Sequence, residues 1–277
     1  MIKTSYIFKT ILLFSALLTG LSLESQEAGS SSGFSPEIGQ AGKDVVWVPT
    51  PQSLVDVMLE MAKVCSSDYL IDLGSGDGRT VISAARLGAT AVGVEYNPDM
   101  VALSWKNAED SGLKDKVKFI EGDLFETDLS VATVITMFLL PEINLRLRPR
   151  LLDLEPGTRI VSNTFSMGEW EPDHKVTTEE NWNSWNTALL WIVPARVEGI
   201  WKMKEGELGL SQKFQMIEGT YKANSRSAEI RDGKLRGNTI SFTINGDRYT
   251  GFVEGESISG IVSDLSGNKK SEWTATR

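Results

Sequence analysis

The chain has 277 residues, 37 acidic against 28 basic side chains and a formal net charge of -9. A balance this acidic argues against a nucleic-acid surface, which draws on clustered Lys and Arg, so DNA and RNA are not expected as substrates. Cys65 is the single cysteine and His174 the single histidine, which excludes an intramolecular disulfide and a Cys/His metal cluster; no metal site is expected. Cys65 is expected as a buried structural thiol and His174 as a polar loop residue.

The N-terminus carries Lys3 and Lys9 and then the apolar run 10–23, TILLFSALLTGLSL. This reads as a secretory signal over residues 1–25. It is shorter than the ~20 apolar residues of a full span, and an uncleaved anchor starting from Tyr6 is the alternative. Either reading predicts an exported or membrane-anchored protein, with membrane proximity through this segment. Residues 26–43 are poor in bulky apolar side chains and rich in Ser and Gly, the composition of a flexible linker. Folding is expected to begin near Val45, with one domain over 44–194 and a β-rich module over 195–277.

Residues 46–51, VWVPTP, are held extended by their prolines. Pro51 suits the opening of a helix over 52–64, with Leu54, Val57, Met58 and Met61 on one face. The run 69–79, YLIDLGSGDGR, is an apolar strand ending in an acid, followed by glycines at 74, 76 and 78 and then a helical segment. Glycines there let the backbone turn sharply and approach a ligand. A dinucleotide fingerprint wants G-x-G-x-x-G. Here the third glycine comes one residue early, and the Asp72 carboxylate, ill suited to a pyrophosphate, suits the cationic amino-acid end of S-adenosylmethionine. Read alone, the loop is also compatible with a NAD site or a plain strand-to-helix turn.

Residues 80–87 read as a helix and 91–95, AVGVE, as a second strand ending in Glu95, an acid placed for both ribose hydroxyls. A helix over 98–112 and a strand over 117–121 follow, with Asp123 just beyond, positioned to accept from an adenine amino group. Residues 131–140 form a nearly continuous apolar run, as a strand buried on both faces shows, and 141–152 is helical. A fifth strand is predicted over 157–165. The alternation means an α/β, Rossmann-like, doubly wound and mostly parallel sheet, with three strand ends converging on one crevice.

From about Ala195 the period changes. Segments at 199–203, 208–221, 227–230, 239–244, 248–253, 257–262 and 270–276, punctuated by Asp232-Gly and Asn245-Gly, read as antiparallel hairpins forming a small β-barrel or sandwich. Trp201, Phe214, Phe242 and Trp273 are expected in its core.

The motif DLGSGDGR at 72–79, with VPTP at 48–51 and FLLP at 138–141, resembles the seven-β-strand lysine methyltransferases related to the enzyme acting on the ATP synthase c-subunit. The resemblance covers about residues 45–173. It implies that Asp72, Gly74, Gly76 and Glu95 hold S-adenosylmethionine, that Asp123 and Leu124 lie beside the adenine, and that residues 48–50, Thr50 included, help cover the site. It also implies an S-adenosylmethionine-dependent methyltransferase (EC 2.1.1 class) directed at nitrogen in a protein or peptide. Many amino-directed methyltransferases carry an Asn-Pro-Pro-Tyr type motif after strand four; this chain has MFLLPEIN at 137–144 instead. An apolar acceptor mouth of Phe138, Leu140, Pro141 and Trp170 is expected, in which burial favours a neutral lysine amine. A small-molecule methyltransferase and an exported, non-catalytic scaffold with this fold are the competing readings.

Overall fold

The computed structural model describes residues 34–43, 46–179, 185–264 and 266–277. The signal or anchor segment, residues 26–33 of the expected linker, and Val45 lie outside the described residues.

Each apolar run of the first half becomes a strand of one sheet, and each amphipathic run a helix laid across it. In chain order these are α1 (Gln52–Met61), β1 (Tyr69–Leu73), α2 (Arg79–Arg86), β2 (Thr90–Glu95), α3 (Pro98–Asp110), β3 (Val117–Glu121), β4 (Val134–Met137), α4 (Pro141–Leu152), β5 (Arg159–Asn163), β6 (His174–Thr177) and β7 (Thr187–Ile192). The strands run in the order β3-β2-β1-β4-β5-β7-β6, parallel through β5, with β7 antiparallel to both β5 and β6. Alternate strand residues face opposite layers. Leu70, Val134 and Val161 pack under α1 and α2, whereas Ile71, Ile135 and Ile160 pack under α4. The reversal of order between β1 and β4 leaves a crevice at the strand C-terminal ends, where ligands of open α/β sheets bind.

The second half forms β8 (Gly199–Met203), β9 (Gly206–Lys213), β10 (Met216–Ala223), β11 (Arg226–Glu229), β12 (Arg231–Arg236), β13 (Thr239–Ile244), β14 (Asp247–Glu254), β15 (Ser257–Ser263) and β16 (Lys269–Thr276). Pairing of β9 with both β8 and β10 closes an antiparallel barrel, with β11 added outside on β10. Trp201, Phe242 and Trp273 fill it, and Phe242 stands edge-on to Trp273 at 5.5 Å.

Several expectations are corrected. Residues 37–43 are not a loose tether: Gln40 N donates to Glu37 O at 2.9 Å, Trp47 N to Gln40 O at 2.8 Å, and Lys43 pairs with Asp123 at 2.8 Å. Backbone bonds and an ion pair there replace the missing apolar anchors. The long run 131–140 yields only four strand residues, because Thr133 adds just the opening backbone bonds to Tyr69 and Arg159 and Phe138, Leu139 and Leu140 turn to line the cavity. The 208–221 run breaks at Phe214, which takes a positive φ of 55°. Asp232-Gly233 is not a hairpin turn; it is a bulge inside β12 where the register shifts between Arg231 and Lys234. Cys65 is exposed, since α1 ends before reaching it, and His174 opens the edge strand β6. Phe214 sits between the two halves, stacked on Trp170 at 6.0 Å.

Candidate active site

The loop after β1 is shaped by its glycines. Gly76 has φ 55°, and a Cβ there would lie 2.8 Å from the Trp47 indole nitrogen, so only glycine lets the 46–50 segment settle on the loop. Gly74 N donates to Val94 O, Ser104 Oγ to Gly76 O and Asn107 Nδ2 to Asp77 O, which ties the loop to β2 and α3. Arg79, opening α2, forks onto both oxygens of Asp77 and donates to Thr50 O at 2.9 Å. The covering segment and the glycine loop are thereby locked together.

Asp72, at the end of β1, is buried and accepts from Thr136 Oγ1 at 2.6 Å. Burial pushes its carboxyl up to about 7 against the hydroxyl bond of Thr136, and the neighbouring charges of Glu95 and Asp77 push the same way. Glu95, at the end of β2, accepts from Gly76 N and Asn97 N, both at 3.0 Å. Asp123, beyond β3, accepts from Phe125 N and from Lys43 Nζ, each at 2.8 Å. The Lys43 bond holds its carboxyl below the usual carboxylate range. The 123–127 turn is braced from α4, where Arg150 donates to the carbonyls of Leu124, Phe125 and Thr127.

These groups line one cavity of about 470 Å³, within the range of cofactor sites. Thr50, Asp72, Gly74, Gly76, Glu95, Asp123 and Leu124 all border it. Its far end, beyond β4 and β5, is aromatic and apolar. Phe138 stacks with Phe165 at 5.9 Å and meets Trp185 edge-on at 5.8 Å, and Leu139, Leu140 and Ile143 complete that end. Two expected mouth residues are elsewhere. Pro141 is the exposed first residue of α4, facing outward because the helix starts there. Trp170 is fully buried between Trp191 and Phe214, since it carries the packing between the sheet and the barrel.

Sequence reasoning missed Lys43, Trp47, Phe165 and Trp185 as cavity residues. Phe165 carried a signal, as the last residue of the predicted fifth strand, whose end opens on the same crevice as Asp72 and Glu95, and Trp185 lay in a tryptophan-rich stretch. Nothing in sequence marked Lys43, which lies 80 positions from its partner.

A buried carboxylate held by hydroxyls, beside two further acids, is short of a cation, since Arg79 is committed to Asp77. A ligand bearing an ammonium and a sulfonium fits that donor set, and the adenosine acceptors at Glu95 and Asp123 lie on successive strand ends. The fold and this cavity define a class I S-adenosylmethionine-dependent methyltransferase.

Comparison with known proteins agrees. Residues 72–174 match the model of the ANTKMT methyltransferase domain. A protein-lysine N-methyltransferase of Saccharolobus islandicus (strain REY15A) is 41% identical over 152 residues, 54% of this chain and 94% of the relative. The Homo sapiens lysine N-methyltransferase of the ATP synthase c-subunit is 36% identical over 129 residues, 46% of this chain and 55% of the human enzyme. The chain therefore spans only about half the length of the human relative. An RNA methyltransferase of Salinibacter ruber, solved with S-adenosyl-L-homocysteine, superposes with a TM-score of 0.51 at 51% identity, over 54% of this chain and 96% of that one. The chain belongs to the seven-β-strand methyltransferase family that holds the archaeal enzyme, and S-adenosylmethionine is its cofactor.

Proposed function

We propose that the protein transfers methyl groups to a lysine ε-amine of a protein or peptide. The observation that carries this reading is the division of one cavity into an acidic half and an aromatic half, with Phe138, Phe165 and Trp185 at the acceptor end. The names of the archaeal and human relatives support it. When bound, the cofactor would supply an electrophilic methyl carbon on a sulfonium, to which a nitrogen lone pair bonds in line as the carbon–sulfur bond breaks and S-adenosylhomocysteine leaves as a neutral thioether. The chain's own work is alignment and exclusion of water. Asp72 would hold the amino end of the cofactor, Glu95 the ribose hydroxyls, and Asp123 with Leu124 the adenine, under the cover of Thr50. Phe138, Leu140 and Phe165 would then strip water from the entering amine, so that its proton leaves to solvent before attack, because burial disfavours the ammonium form.

A nucleobase acceptor is the second reading, prompted by the name of the Salinibacter ruber protein. It is disfavoured because residues 34–194 carry 24 Asp and Glu against 13 Lys and Arg, a field that repels a phosphate backbone. Incubation with methyl-labelled S-adenosylmethionine and the proteins and RNA of the source cell separates them. Label recovered in methyl-lysine after acid hydrolysis is expected, and label in nucleosides alone would refute the proposal. We propose that residues 1–25 act as a secretory signal or an uncleaved anchor; fractionation of a C-terminally tagged chain tests it, and a soluble cytosolic pool of full-length protein would refute it.

A further inference from the structure

Phe165 owes its place to a strained turn. Thr164 has φ 60°, a left-handed value that β-branched residues rarely take. The Phe165 amide donates back to the Asn163 carbonyl at 2.7 Å, closing a three-residue γ-turn of the strained hand. The surroundings over-determine this conformation. Thr164 N donates to Thr187 O at 2.7 Å, and Thr164 Oγ1 to Asn163 Oδ1 at 2.9 Å. Asn163 Nδ2 reaches Thr50 Oγ1, on the cavity wall, at 3.3 Å. The Phe165 carbonyl accepts from Ser162 Oγ at 2.8 Å and from Asn144 Nδ2 at 3.1 Å.

Asn144, Ser162 and Asn163 are completely buried. A left-handed threonine is costly, as is the buried Asn144 Oδ1, which has no hydrogen-bond partner among the described residues, and such features persist mainly where the site they serve requires them. All of them converge on the placement of one ring, which stacks on Phe138 at the acceptor end of the cavity.

We propose that Phe165 determines acceptor specificity and that Thr164 is its positioning residue, the pair selecting a slender alkylammonium chain. This deepens the lysine reading and rests on it. An alkyl stem packs along the rings while their faces attract the ammonium. The near-parallel Phe138 and Phe165 rings stack on each other with centroids 5.9 Å apart.

The test uses the full chain saturated with S-adenosylhomocysteine and n-butylammonium as the probe. Saturation-transfer NMR reads contact between aromatic protons and the butyl chain, calorimetry reads S-adenosylhomocysteine affinity, and a thermal melt reads stability. In the wild type, saturation should reach the butyl methylenes. Phe165→Leu should weaken the amine by about fivefold or more, the size of one ring-face attraction, with S-adenosylhomocysteine affinity kept. Thr164→Gly, and Thr164→Asn as a second left-handed-tolerant variant, should keep or raise the melting temperature and still weaken the amine.

A merely structural turn predicts the opposite pattern. If both Thr164 variants keep wild-type amine affinity, the positioning role is overturned. If Phe165→Leu binds the amine normally, or the loaded wild type does not bind it, the specificity role is overturned while the methyltransferase assignment stands. Loss of S-adenosylhomocysteine binding in the wild type would overturn the proposed function itself.

Discussion

Replacing Asp72 by Asn should separate stability from function. In the cofactor-free protein the Asp72 carboxyl is raised to about 7, chiefly by burial. A carboxyl raised in the folded state binds its proton where the unfolded chain has released it. Stability is therefore highest below the unfolded value near 4, falls as pH rises, and levels off above about 7. Over that window the cost is about 4 kcal/mol. Asparagine keeps the shape and can still accept the Thr136 hydroxyl at 2.6 Å, but carries no charge to desolvate. At pH 8 the cofactor-free Asp72→Asn protein should be more stable by about 1–4 kcal/mol, or about 3–12 °C in melting temperature for a unit of this size. Binding should move the other way. An ammonium facing Asp72 needs the ionised form, so wild-type affinity should drop about tenfold between pH 8 and pH 6. Asp72→Asn should bind about 10–150-fold more weakly at pH 8, the worth of a charge-assisted bond, and show little of that pH dependence. Differential scanning calorimetry of the free protein and titration calorimetry with S-adenosylmethionine measure the two effects. A variant that melts below wild type at pH 8, or that binds with an unchanged pH profile, would refute the reasoning.

Glu95→Gln should weaken S-adenosylhomocysteine by about tenfold or more in the same calorimetry, because the carboxylate that grips Gly76 N and Asn97 N is also the group proposed for the ribose; unchanged affinity would remove it from the site. Arg150→Met leaves the carbonyls of Leu124, Phe125 and Thr127 without their shared donor. It should cost about 2–3 kcal/mol in denaturant unfolding and weaken cofactor binding, with Arg150→Lys recovering part of both.

How much of this was legible depends on the range of the interaction. Asp72, Glu95 and Asp123 could be read from sequence because each ends a short apolar strand, and the parallel sheet brings such ends together by topology alone. The barrel strands were readable from their period of two, and Asn245-Gly246 is a hairpin turn with both residues at positive φ. The acceptor end was not legible in full. Phe138 and Leu140 were read at the end of the fourth strand and lie just past it, but their partners Phe165 and Trp185 come from other segments, and which aromatic joins them depends on the γ-turn at Thr164. Trp170 was misplaced for a related reason. An aromatic seven residues beyond a strand end can face the crevice or the flank, and the choice was made by Phe214, 44 positions later, which no local pattern reveals. The edge strand β6 and its inner neighbour β7 were missed because residues 170–194 were read for their tryptophans rather than for alternation.

The position of Trp170 also decides what the barrel does for the catalytic half. Its indole is fully buried, stacked on Phe214 at 6.0 Å and packed against Trp191 at 6.3 Å. On either side, Gln215 Nε2 donates to Glu171 O at 2.8 Å and Lys234 pairs with the buried Asp173 at 3.3 Å. The barrel thus grips the 167–173 segment, which runs from the acceptor wall toward the opposite edge of the sheet, while the glycine loop, Glu95 and Asp123 are held by α2, α3 and α4. Trp170→Ala should therefore cost about 3–5 kcal/mol, the usual penalty for emptying a large aromatic site. S-adenosylhomocysteine affinity should stay within about twofold, since no cofactor-facing group depends on that indole and distant sites act additively. Denaturant unfolding and titration calorimetry on the same preparation would show both. A variant that keeps wild-type stability would mean the barrel is loosely attached, and one that loses cofactor binding in step with stability would mean the two halves share a single fate rather than dividing support and chemistry between them.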